Sequence, residues 1–394
     1  MTDQALAEDD EDKQSNHASM FAPLALTHVL PFLPLAQNGV DYQVDRRDDP
    51  ELIARLLGDD STRVMLVRSG KVAIPKGQGK LVDYDVAKIR LTMLAGSYVR
   101  DLIPHAQSGM RTDTQAEAVR NAVQDSQCIP IFLGTRADHA YIALDISQSV
   151  IAAEVPNPRN VSADNAFVAD ESSLAASSAR PSILELAQSR CDWVGLREFA
   201  PHASTVEASL ATTAATLSMW HRAQHYCPYC GTATISVYSG WAQRCQNAAD
   251  DNRIIFPRIE PAVITAIVDA QDRLLLQHNS AWNPGFYSVT AGFVEAGENL
   301  EHAARREARE ETGIAISDLI YTGSQPWPFP SSLMMSFKGY ARDTAIHVDG
   351  VETQSARWVS RDEFIRALTT GEMQAPGKAT IARYMIEEWY GAEF

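Results

Sequence analysis

Three glutamates lie close together in the second half of the chain, at Glu307, Glu310 and Glu311. If this segment is helical, residues three and four positions apart share one face, and the three carboxylates project from the same place. Their mutual repulsion requires nearby cations or a bound metal to offset it. Hard oxygen ligands of this kind suit Mg²⁺ or Mn²⁺, which also bind substrate phosphates. The cluster therefore predicts a divalent-metal site that acts on a phosphate compound.

The same cluster has a second interpretation, because neighbouring arginines can pair with the glutamates on a solvated helix. The wider spacing favours the metal site. Gly292 is followed after five residues by Glu298 and, after seven more, by the run Arg306-Glu307-Ala308-Arg309-Glu310-Glu311-Thr312-Gly313-Ile314. This pattern resembles the Nudix box at each characteristic position, with Ala308 where a larger aliphatic residue is common.

The resemblance to Nudix hydrolases implies a loop, a helix and a second loop that hold divalent metal against a diphosphate. Glu307 and Glu311 correspond to metal ligands, together with the backbone carbonyl of Ala291. Glu352, six residues before Trp358, matches an additional metal-binding glutamate of the family outside the box. The metal would neutralise phosphate oxygens, orient the bridge and activate a water for attack on phosphorus.

The remaining charged positions of the box receive their expected roles from the same resemblance. Glu310 is expected to bind a second metal or to act as the general base. Glu298 and Arg306 are expected to support the site, because Arg306 can orient carboxylates through ion pairs. The expected catalytic set therefore extends beyond the three clustered glutamates.

A segment rich in proline and aromatic residues follows the box at residues 324–334, with the sequence Ser-Gln-Pro-Trp-Pro-Phe-Pro-Ser-Ser-Leu-Met. Its prolines predict a stiff, extended backbone that cannot form a ladder strand. Such a segment either packs as a structural crossover or offers an aromatic wall on which a nucleotide base stacks. Its resemblance to the SQPWPFPxS motif of NADH pyrophosphatases favours the second interpretation. The substrate contacts that the motif implies are Gln325, Pro326, Trp327, Pro328, Phe329, Pro330, Ser331 and Ser332.

Residues elsewhere in the chain resemble further substrate contacts of the same family. Phe256, in the run Phe256-Pro257-Arg258, matches an aromatic residue that stacks on the base and is commonly Tyr, so stacking should survive without the hydroxyl. Ala382 matches a position whose backbone faces the substrate. Lys76, in the run at residues 74–77, and Arg197 match basic residues of the family's N-terminal domain.

The cysteines predict a second metal site. Cys227 and Cys230 form a Cys-x-x-Cys-Gly knuckle, and Cys245 follows after fourteen intervening residues, as in a zinc ribbon. Ala248 stands where the family has its fourth cysteine. Two alternatives stay open: Zn²⁺ with a carboxylate or histidine as fourth ligand, or three reduced thiols without metal. The nearest other donors are Asp250, Asp251 and His225.

Composition narrows the class of protein. A net charge of −16 over 394 residues argues against a protein that grips nucleic acid across a broad surface. No apolar run reaches the roughly 18 residues of a membrane span, and the start of the chain is acidic instead of resembling a signal peptide. The few cysteines lack the spacing of a disulfide framework, which fits a reducing compartment. We therefore expect a cytoplasmic protein that does not contact a membrane.

The sequence pattern divides the chain into four parts. We expect a disordered acidic tail over residues 1–20 and a β-rich N-terminal domain over residues 21–219. A zinc-ribbon-like module should cover residues 220–257, and the Nudix catalytic domain residues 258–394. The strands expected in the N-terminal domain lie at residues 63–68, 72–75, 130–134 and 140–145.

Elements predicted for the last part follow the order β, β, loop, α, β, β, α, α. The carboxylate helix should span residues 300–312, with Asn299 as N-cap and Gly313 as C-terminal stop. A capping box should begin another helix after Ser360. Together these elements predict an α+β fold in which the Nudix part is an α/β/α sandwich. The other predicted elements are a hairpin of strands at residues 262–268 and 273–278, strands at 286–290, 333–340 and 356–359, and a helix at 378–389.

The resemblance implies hydrolysis of NADH, and less selectively of NAD⁺, to nicotinamide mononucleotide and AMP by a homodimer. An NAD cap on RNA carries the same diphosphate and is a second expected substrate. The alternatives are a Nudix hydrolase of ADP-ribose or a diadenosine polyphosphate, a non-catalytic nucleotide-binding regulator, and a zinc-ribbon protein that binds nucleic acid. The intact glutamates argue against the regulator, because binding alone needs no metal-loading cluster. The missing fourth cysteine and the negative charge argue against the nucleic-acid-binding ribbon.

Overall fold

The protein is described by a computed structural model over residues 33–84, 88–103, 128–148 and 182–394. The acidic tail expected at residues 1–20 lies outside this part of the chain. The described residues form two compact units, one over residues 38–257 and one over residues 33–37 with 258–394. No helix of the described part is long and apolar enough to cross a membrane.

The first unit contains two sheets. Strands β1 to β6 form a six-stranded sheet in the order β4-β5-β1-β2-β6, with β3 also paired to β1, and β7, β8 and β9 form a separate small sheet. The four strands expected from the sequence are confirmed, each within two residues of its predicted ends. The strands are β1 (Arg63–Arg68), β2 (Lys71–Pro75), β3 (Met93–Ala95), β4 (Ile129–Arg136), β5 (His139–Asp145), β6 (Cys191–Gly195), β7 (Thr234–Val237), β8 (Ala242–Cys245) and β9 (Ile254–Ile255). The helices are α1 (Leu52–Leu57), α2 (Ile183–Arg190), α3 (Leu196–Phe199) and α4 (Thr205–Ala223).

Helix α4 crosses the domain boundary expected at residues 219 and 220. Its N-cap is Ser204, whose side chain accepts a hydrogen bond from the backbone N–H of Glu207, and the helix runs from Thr205 without interruption for 19 residues. Much of its length is buried, including Leu210 and Leu217. The cysteine segment therefore follows directly from a long helix of the first unit.

The second unit is a mixed sheet with helices. The order of the strands is β13-β14-β10-β11-β15, with β12 also paired to β10, and β10 and β14 are parallel. The strands are β10 (Glu260–Val268), β11 (Leu274–Asn279), β12 (Thr290–Phe293), β13 (Ile316–Trp327), β14 (Ser332–Ala341) and β15 (Thr353–Val359). The helices are α5 (Leu300–Thr312), α6 (Arg361–Thr369) and α7 (Ile381–Tyr390).

Successive residues of β10 face opposite layers of helices. Val263 and Ile267 lie in the apolar clusters that contain the buried alanines of α5. Ile264 instead packs in the cluster that contains Phe364 of α6 and Ile386 of α7. Because side chains alternate across a strand, one continuous apolar run serves both faces. The expected α/β/α sandwich is thereby confirmed for this unit.

Helix α5 has the bounds that the sequence predicts. The side chain of Asn299 accepts a hydrogen bond from the backbone N–H of His302 at 2.8 Å, and Gly313 ends the helix at a φ of 77°. Ala308 is fully buried beside Leu275 of β11, which explains its small side chain in place of a larger aliphatic one. The apolar face of α5 thus packs against the sheet, and the carboxylates lie on its remaining faces.

The prediction of a strand at residues 286–290 is wrong. Residues 286–289 make only isolated bridges, from Phe286 to Gln374 and from Ser288 to Gln277. Regular pairing begins at Thr290, the first residue of β12, where the chain meets β10 in antiparallel register. Apolar and aromatic residues raised the predicted strand propensity, but pairing with β10 starts only at Thr290.

The prediction that the proline-rich segment cannot form a ladder strand is also wrong. Strand β13 continues through Pro326 to Trp327 and pairs with Leu333 and Ser332 of β14. Because β13 is at the edge of the sheet, a proline without an N–H can be accommodated there. This strand of twelve residues was therefore not predicted from the sequence.

Candidate active site

The Nudix-like box runs from β12 into helix α5. Gly292 lies on β12 opposite Val263 of β10. A Cβ atom added to Gly292 would overlap the carboxyl group of Glu307. The side chain of Glu307 is 16% exposed and lies directly against the backbone of this strand. A residue with a side chain at position 292 would therefore displace the first glutamate of the cluster.

Arg306 joins three carboxylates of the box. Its Nε donates to Oε1 of Glu298 at 2.9 Å, and its Nη2 donates to Oε2 of Glu298 and to the carbonyl of Phe293, both at 2.8 Å. Its Nη1 donates to Glu307 at 2.8 Å and to Glu310 at 2.9 Å. The guanidinium holds the pKa of Glu298 at about 2. Arg306 thus fixes the spacing of carboxylates that would otherwise repel one another.

Glu311 is the buried member of the cluster, with 4% of its surface exposed. Its Oε2 accepts the backbone N–H of Ala291 at 3.3 Å, and its Oε1 accepts Nε2 of Gln277 at 3.4 Å. Burial, reinforced by the charge of Glu307, raises the pKa of Glu311 to about 8. Burial also raises the pKa of Glu307, against the opposing effect of Arg306. Both carboxylates would ionise more readily beside a cation.

Glu352 lies in the loop before β15. Its backbone N–H donates to the Asp349 carboxylate at 3.2 Å, and its Oε1 accepts Nδ2 of Asn279 at 3.2 Å. The negative charge of Glu352 contributes to the raised pKa of both Glu307 and Glu311. The fourth predicted acidic ligand is therefore electrostatically coupled to the two glutamates on α5.

The residues present fit the Mg²⁺ or Mn²⁺ that the box implies. The donors are hard carboxylate oxygens, and the bare backbone at Gly292 makes room for Glu307. Oε1 of Gln277 is buried without a hydrogen-bond partner beside Glu311. Among the described residues, no three of these carboxylates have oxygens that all lie within 4.8 Å of one another.

The aromatic residues of the proline-rich segment lie where β13 turns into β14. The backbone N–H of Phe329 donates to the carbonyl of Trp327 at 2.7 Å. The two rings meet edge to face, with centroids 4.9 Å apart. Trp327 is in register with Ser332 across the hairpin. The turn between these strands contains Pro328, Phe329, Pro330 and Ser331.

Gln325 and Ala382 are both buried. Gln325 is fully enclosed, and its Nε2 donates to the carbonyl of Ala379 at 2.8 Å. This bond anchors the segment that leads into α7. Ala382 is the second residue of α7, so its backbone N–H has no acceptor within the helix. Its side chain packs in the apolar core, which leaves the backbone as the part available to a ligand.

Three predicted substrate residues belong to the first unit. Phe256 is 63% exposed and stacks on Tyr238 with ring centroids 6.2 Å apart. Lys76 follows β2 and pairs with Asp192 at 3.1 Å. Arg197 lies on the surface in helix α3. Each is positioned by elements of its own unit.

The three cysteines of the predicted zinc module meet one carboxylate. One donor atom from each of Cys227, Cys230, Cys245 and Asp250 lies within 4.8 Å of the others. This is the only such group of three or more His, Cys, Asp or Glu donors in the described part of the chain. Of the three alternative donors named from the sequence, the group therefore includes Asp250 and neither Asp251 nor His225.

Two residues that contact the glutamates were not predicted from the sequence. Gln277 and Asn279 both lie on β11 and contact Glu311 and Glu352, respectively. The available signal was a polar residue directly after the apolar run at residues 274–276. Gln277 is only 1% exposed, and a buried polar residue in such a strand calls for a specific partner.

Fold and site together define a class of protein. A sandwich whose sheet leads through a bare glycine into a helix with clustered carboxylates is suited to hold a divalent cation against phosphates. The NUDIX domain model matches residues 258–383, which lie in the second unit. The second unit therefore contains a Nudix domain.

Three curated relatives resemble the chain in sequence. Nudix hydrolase 19, chloroplastic, of Arabidopsis thaliana is 37% identical over 45% of this chain and 42% of that protein. NAD-capped RNA hydrolase NudC of Mycobacterium bovis is 36% identical over 51% of this chain and 66% of that protein. NAD-capped RNA hydrolase NUDT12 of Homo sapiens is 35% identical over 46% of this chain and 42% of that protein. The matches thus cover less than two thirds of each relative.

Proposed function

We propose that the chain hydrolyses the diphosphate bond of NADH, and less selectively of NAD⁺, to nicotinamide mononucleotide and AMP with Mg²⁺ or Mn²⁺. One observation carries the proposal: Glu307, Glu311 and Glu352 are electrostatically coupled beside the bare backbone of Gly292 in a Nudix domain. The names of the bacterial and human relatives support a dinucleotide diphosphate as the substrate class.

The proposed metal ligands are Glu307, Glu311, Glu352 and the carbonyl of Ala291. When bound, the metal supplies charge neutralisation at the phosphates and an activated water. Arg306 engages Oε1 of Glu307 and leaves Oε2 outside its hydrogen bonds. The backbone N–H of Ala291 orients one carboxylate oxygen of Glu311, and the side-chain amide of Gln277 orients the other. These contacts arrange the ligands before the substrate arrives.

Glu310 is proposed to act as general base or to bind a second metal. Its side chain is 59% exposed, so it can reach a water beside the substrate. Its ion pair with Arg306 uses Oε2 and leaves Oε1 outside that bond. Glu298, held by the same arginine, is proposed to support the site without touching the substrate.

The hairpin between β13 and β14 is proposed to select the substrate. Trp327 and Phe329 offer aromatic surface to a nucleotide base, and Gln325 anchors the segment that leads into α7, which contains Ala382. The roles expected for Pro326, Pro328, Pro330, Ser331 and Ser332 remain predictions of the motif. So do the substrate contacts expected at Phe256, Lys76 and Arg197.

Removal of an NAD cap from RNA is a second candidate activity. The specific observation in its favour is that two of the relatives are named NAD-capped RNA hydrolases. The same diphosphate bond would be attacked, so the same carboxylates would serve both substrates. The cytoplasmic location and the homodimer expected from the sequence belong to this proposal as predictions.

A comparison of substrates tests the proposed specificity. Purified protein with Mg²⁺ or Mn²⁺ is given NADH, NAD⁺, NAD-capped RNA, ADP-ribose or a diadenosine polyphosphate, and the products are separated by chromatography. We expect AMP and reduced nicotinamide mononucleotide from NADH, at a higher kcat/KM than for ADP-ribose. If ADP-ribose or diadenosine polyphosphate is cleaved while NADH releases no AMP, the NADH specificity is wrong and Nudix chemistry survives.

A further inference from the structure

Three thiols and one carboxylate come together at the small sheet of the first unit. Cys227 and Cys245 are buried, and Cys230 is exposed at the rim. The sulfurs of Cys230 and Cys245 are 3.4 Å apart, and the sulfur of Cys227 is 3.3 Å from Oδ2 of Asp250. Four ligands around Zn²⁺ at bond lengths of about 2.0–2.3 Å are separated from one another by roughly 3.3–3.8 Å. Two of the six distances between the four donors thus match those around Zn²⁺, and all four donor atoms lie within 4.8 Å of one another.

The backbone around the first two cysteines has the form of a metal-binding knuckle. The N–H of Gly231 donates to the carbonyl of Cys227 at 2.9 Å, and Gly231 has a φ of 72°, which a residue with a side chain adopts only with strain. Near the third cysteine, the N–H of Asn247 points to the sulfur of Cys245 at 3.4 Å. Such a donor stabilises a thiolate that binds metal.

A short turn brings Asp250 into the group. The side chain of Asn247 accepts the N–H of Ala249 at 3.0 Å and begins a 3-10 helix over Ala248–Asp250. The left-handed residue Asp251 then reverses the chain. The residue at the family's fourth-cysteine position, Ala248, is therefore the start of the turn, and the carboxylate two residues later lies beside the cysteine sulfurs.

Arg253 orients this carboxylate from the side away from the cysteines. Its Nε and Nη2 both donate to Oδ1 of Asp250, at 3.2 Å and 3.1 Å. Oδ2 is the oxygen that faces Cys227. The guanidinium is held in turn over the ring of Tyr229, with its Cζ 4.2 Å from the centroid. One carboxylate oxygen is thus fixed by a cation while the other faces the thiols.

We propose that Asp250 is the fourth ligand of a tetrahedral Zn²⁺ site with Cys227, Cys230 and Cys245, and that Arg253 orients this ligand. The site is structural, since four protein donors leave no position for a substrate. Arg253 also offsets part of the charge, because three thiolates and a carboxylate exceed the charge of the metal by two. The module therefore keeps a closed zinc site after losing the fourth cysteine.

Metal content and Co²⁺ spectroscopy of the full-length protein test this proposal without an activity assay. Zinc per chain is measured by mass spectrometry, and zinc affinity by competition with a chromophoric chelator. We expect one zinc per chain in the wild type. Asp250→Ala should weaken zinc binding by about 100-fold or more, and Arg253→Met by about 10-fold, as for loss of a residue that orients a ligand. Asp251→Ala is the matched control and should bind zinc like the wild type.

The variant Asp250→Cys decides the identity of the fourth ligand even if Asp250→Ala does not fold. It should bind zinc, and its Co²⁺ form should show thiolate-to-cobalt charge transfer from four sulfurs, whereas the wild type shows it from three. Three results would overturn the proposal. These are equal zinc affinity and Co²⁺ spectrum in the wild type and Asp250→Ala, absence of zinc from both the wild type and Asp250→Cys, and a zinc-free protein with a Cys230–Cys245 disulfide.

Discussion

Glu307 lies against the backbone of Gly292, in space that the Cβ atom of any other residue would occupy. The contact joins strand β12 to helix α5 at the point where the acidic cluster begins. It sets the distance between the helix that carries the glutamates and the strand that carries Ala291. The glycine of the box is therefore required by the space that the Glu307 side chain occupies, since its backbone does not adopt a positive φ.

Gly292→Ala is expected to displace Glu307 and lower kcat by about 100-fold, since a shift of roughly 1 Å at a reacting group costs that much. Gly195→Ala is the control, because a Cβ there meets only the Glu198 side chain at 3.5 Å. Steady-state kinetics and thermal unfolding of both variants measure the effect. Full activity in a folded Gly292→Ala protein would show that the position of Glu307 is unimportant.

Arg306→Lys is expected to lower kcat by about 10- to 100-fold, because an ammonium group cannot reproduce the planar fork to Glu298 together with the bonds to Glu307 and Glu310. Arg309→Lys makes the same change on the same helix outside this network. Kinetics at saturating Mg²⁺ separate the two. Equal losses in both variants would show that the loss does not come from the hydrogen bonds of Arg306 to the three carboxylates.

Gln277→Met is expected to raise the Mg²⁺ concentration needed for half-maximal activity by about 10- to 100-fold, as for other residues that orient metal ligands. The substitution keeps the length of the side chain and removes the amide that donates to Glu311. Gln271→Met, at an exposed turn position, is the control. An unchanged Mg²⁺ requirement in Gln277→Met would show that this amide does not position the carboxylate.

The pH dependence of stability should report the burial of Glu311. Because folding raises the pKa of this group from 4.5 to about 8, its contribution favours the folded metal-free protein below pH 4.5 and is lost as pH rises through 8. Metal-free wild type should therefore lose stability relative to Glu311→Gln across this interval, by several degrees of melting temperature if each kcal/mol shifts it by about 2–4 °C. Parallel melting curves for the two proteins across this interval would contradict the raised pKa.

The sequence predicted helix α5 to the residue because its signals are local. Asn299 caps it, Gly313 ends it, and the box residues between them follow helical spacing. The hairpin of β10 and β11 and the capping box at Ser360 were local in the same sense, and both are confirmed. Elements whose pattern depends on nearby residues were therefore predictable.

Features that depend on distant partners were not predictable. Pro326 belongs to a ladder strand because β13 happens to lie at the edge of the sheet, which no local pattern reveals. The contact of Gln277 with Glu311 joins residues 34 positions apart. Asp250 could be named only as one of three donors, because its contact with Cys227 joins residues 23 positions apart.

Turnover of NADH by Glu311→Gln tests the central claim most directly. The substitution keeps the size of the buried side chain and removes its charge, and Glu301→Gln makes the same change at an exposed position in the first turn of the same helix. With saturating Mg²⁺, we expect Glu301→Gln to release AMP like the wild type. Glu311→Gln should remain folded and lose about 100- to 1,000-fold or more in kcat. Wild-type AMP release by Glu311→Gln would contradict the claim that the carboxylates of helix α5 perform the chemistry.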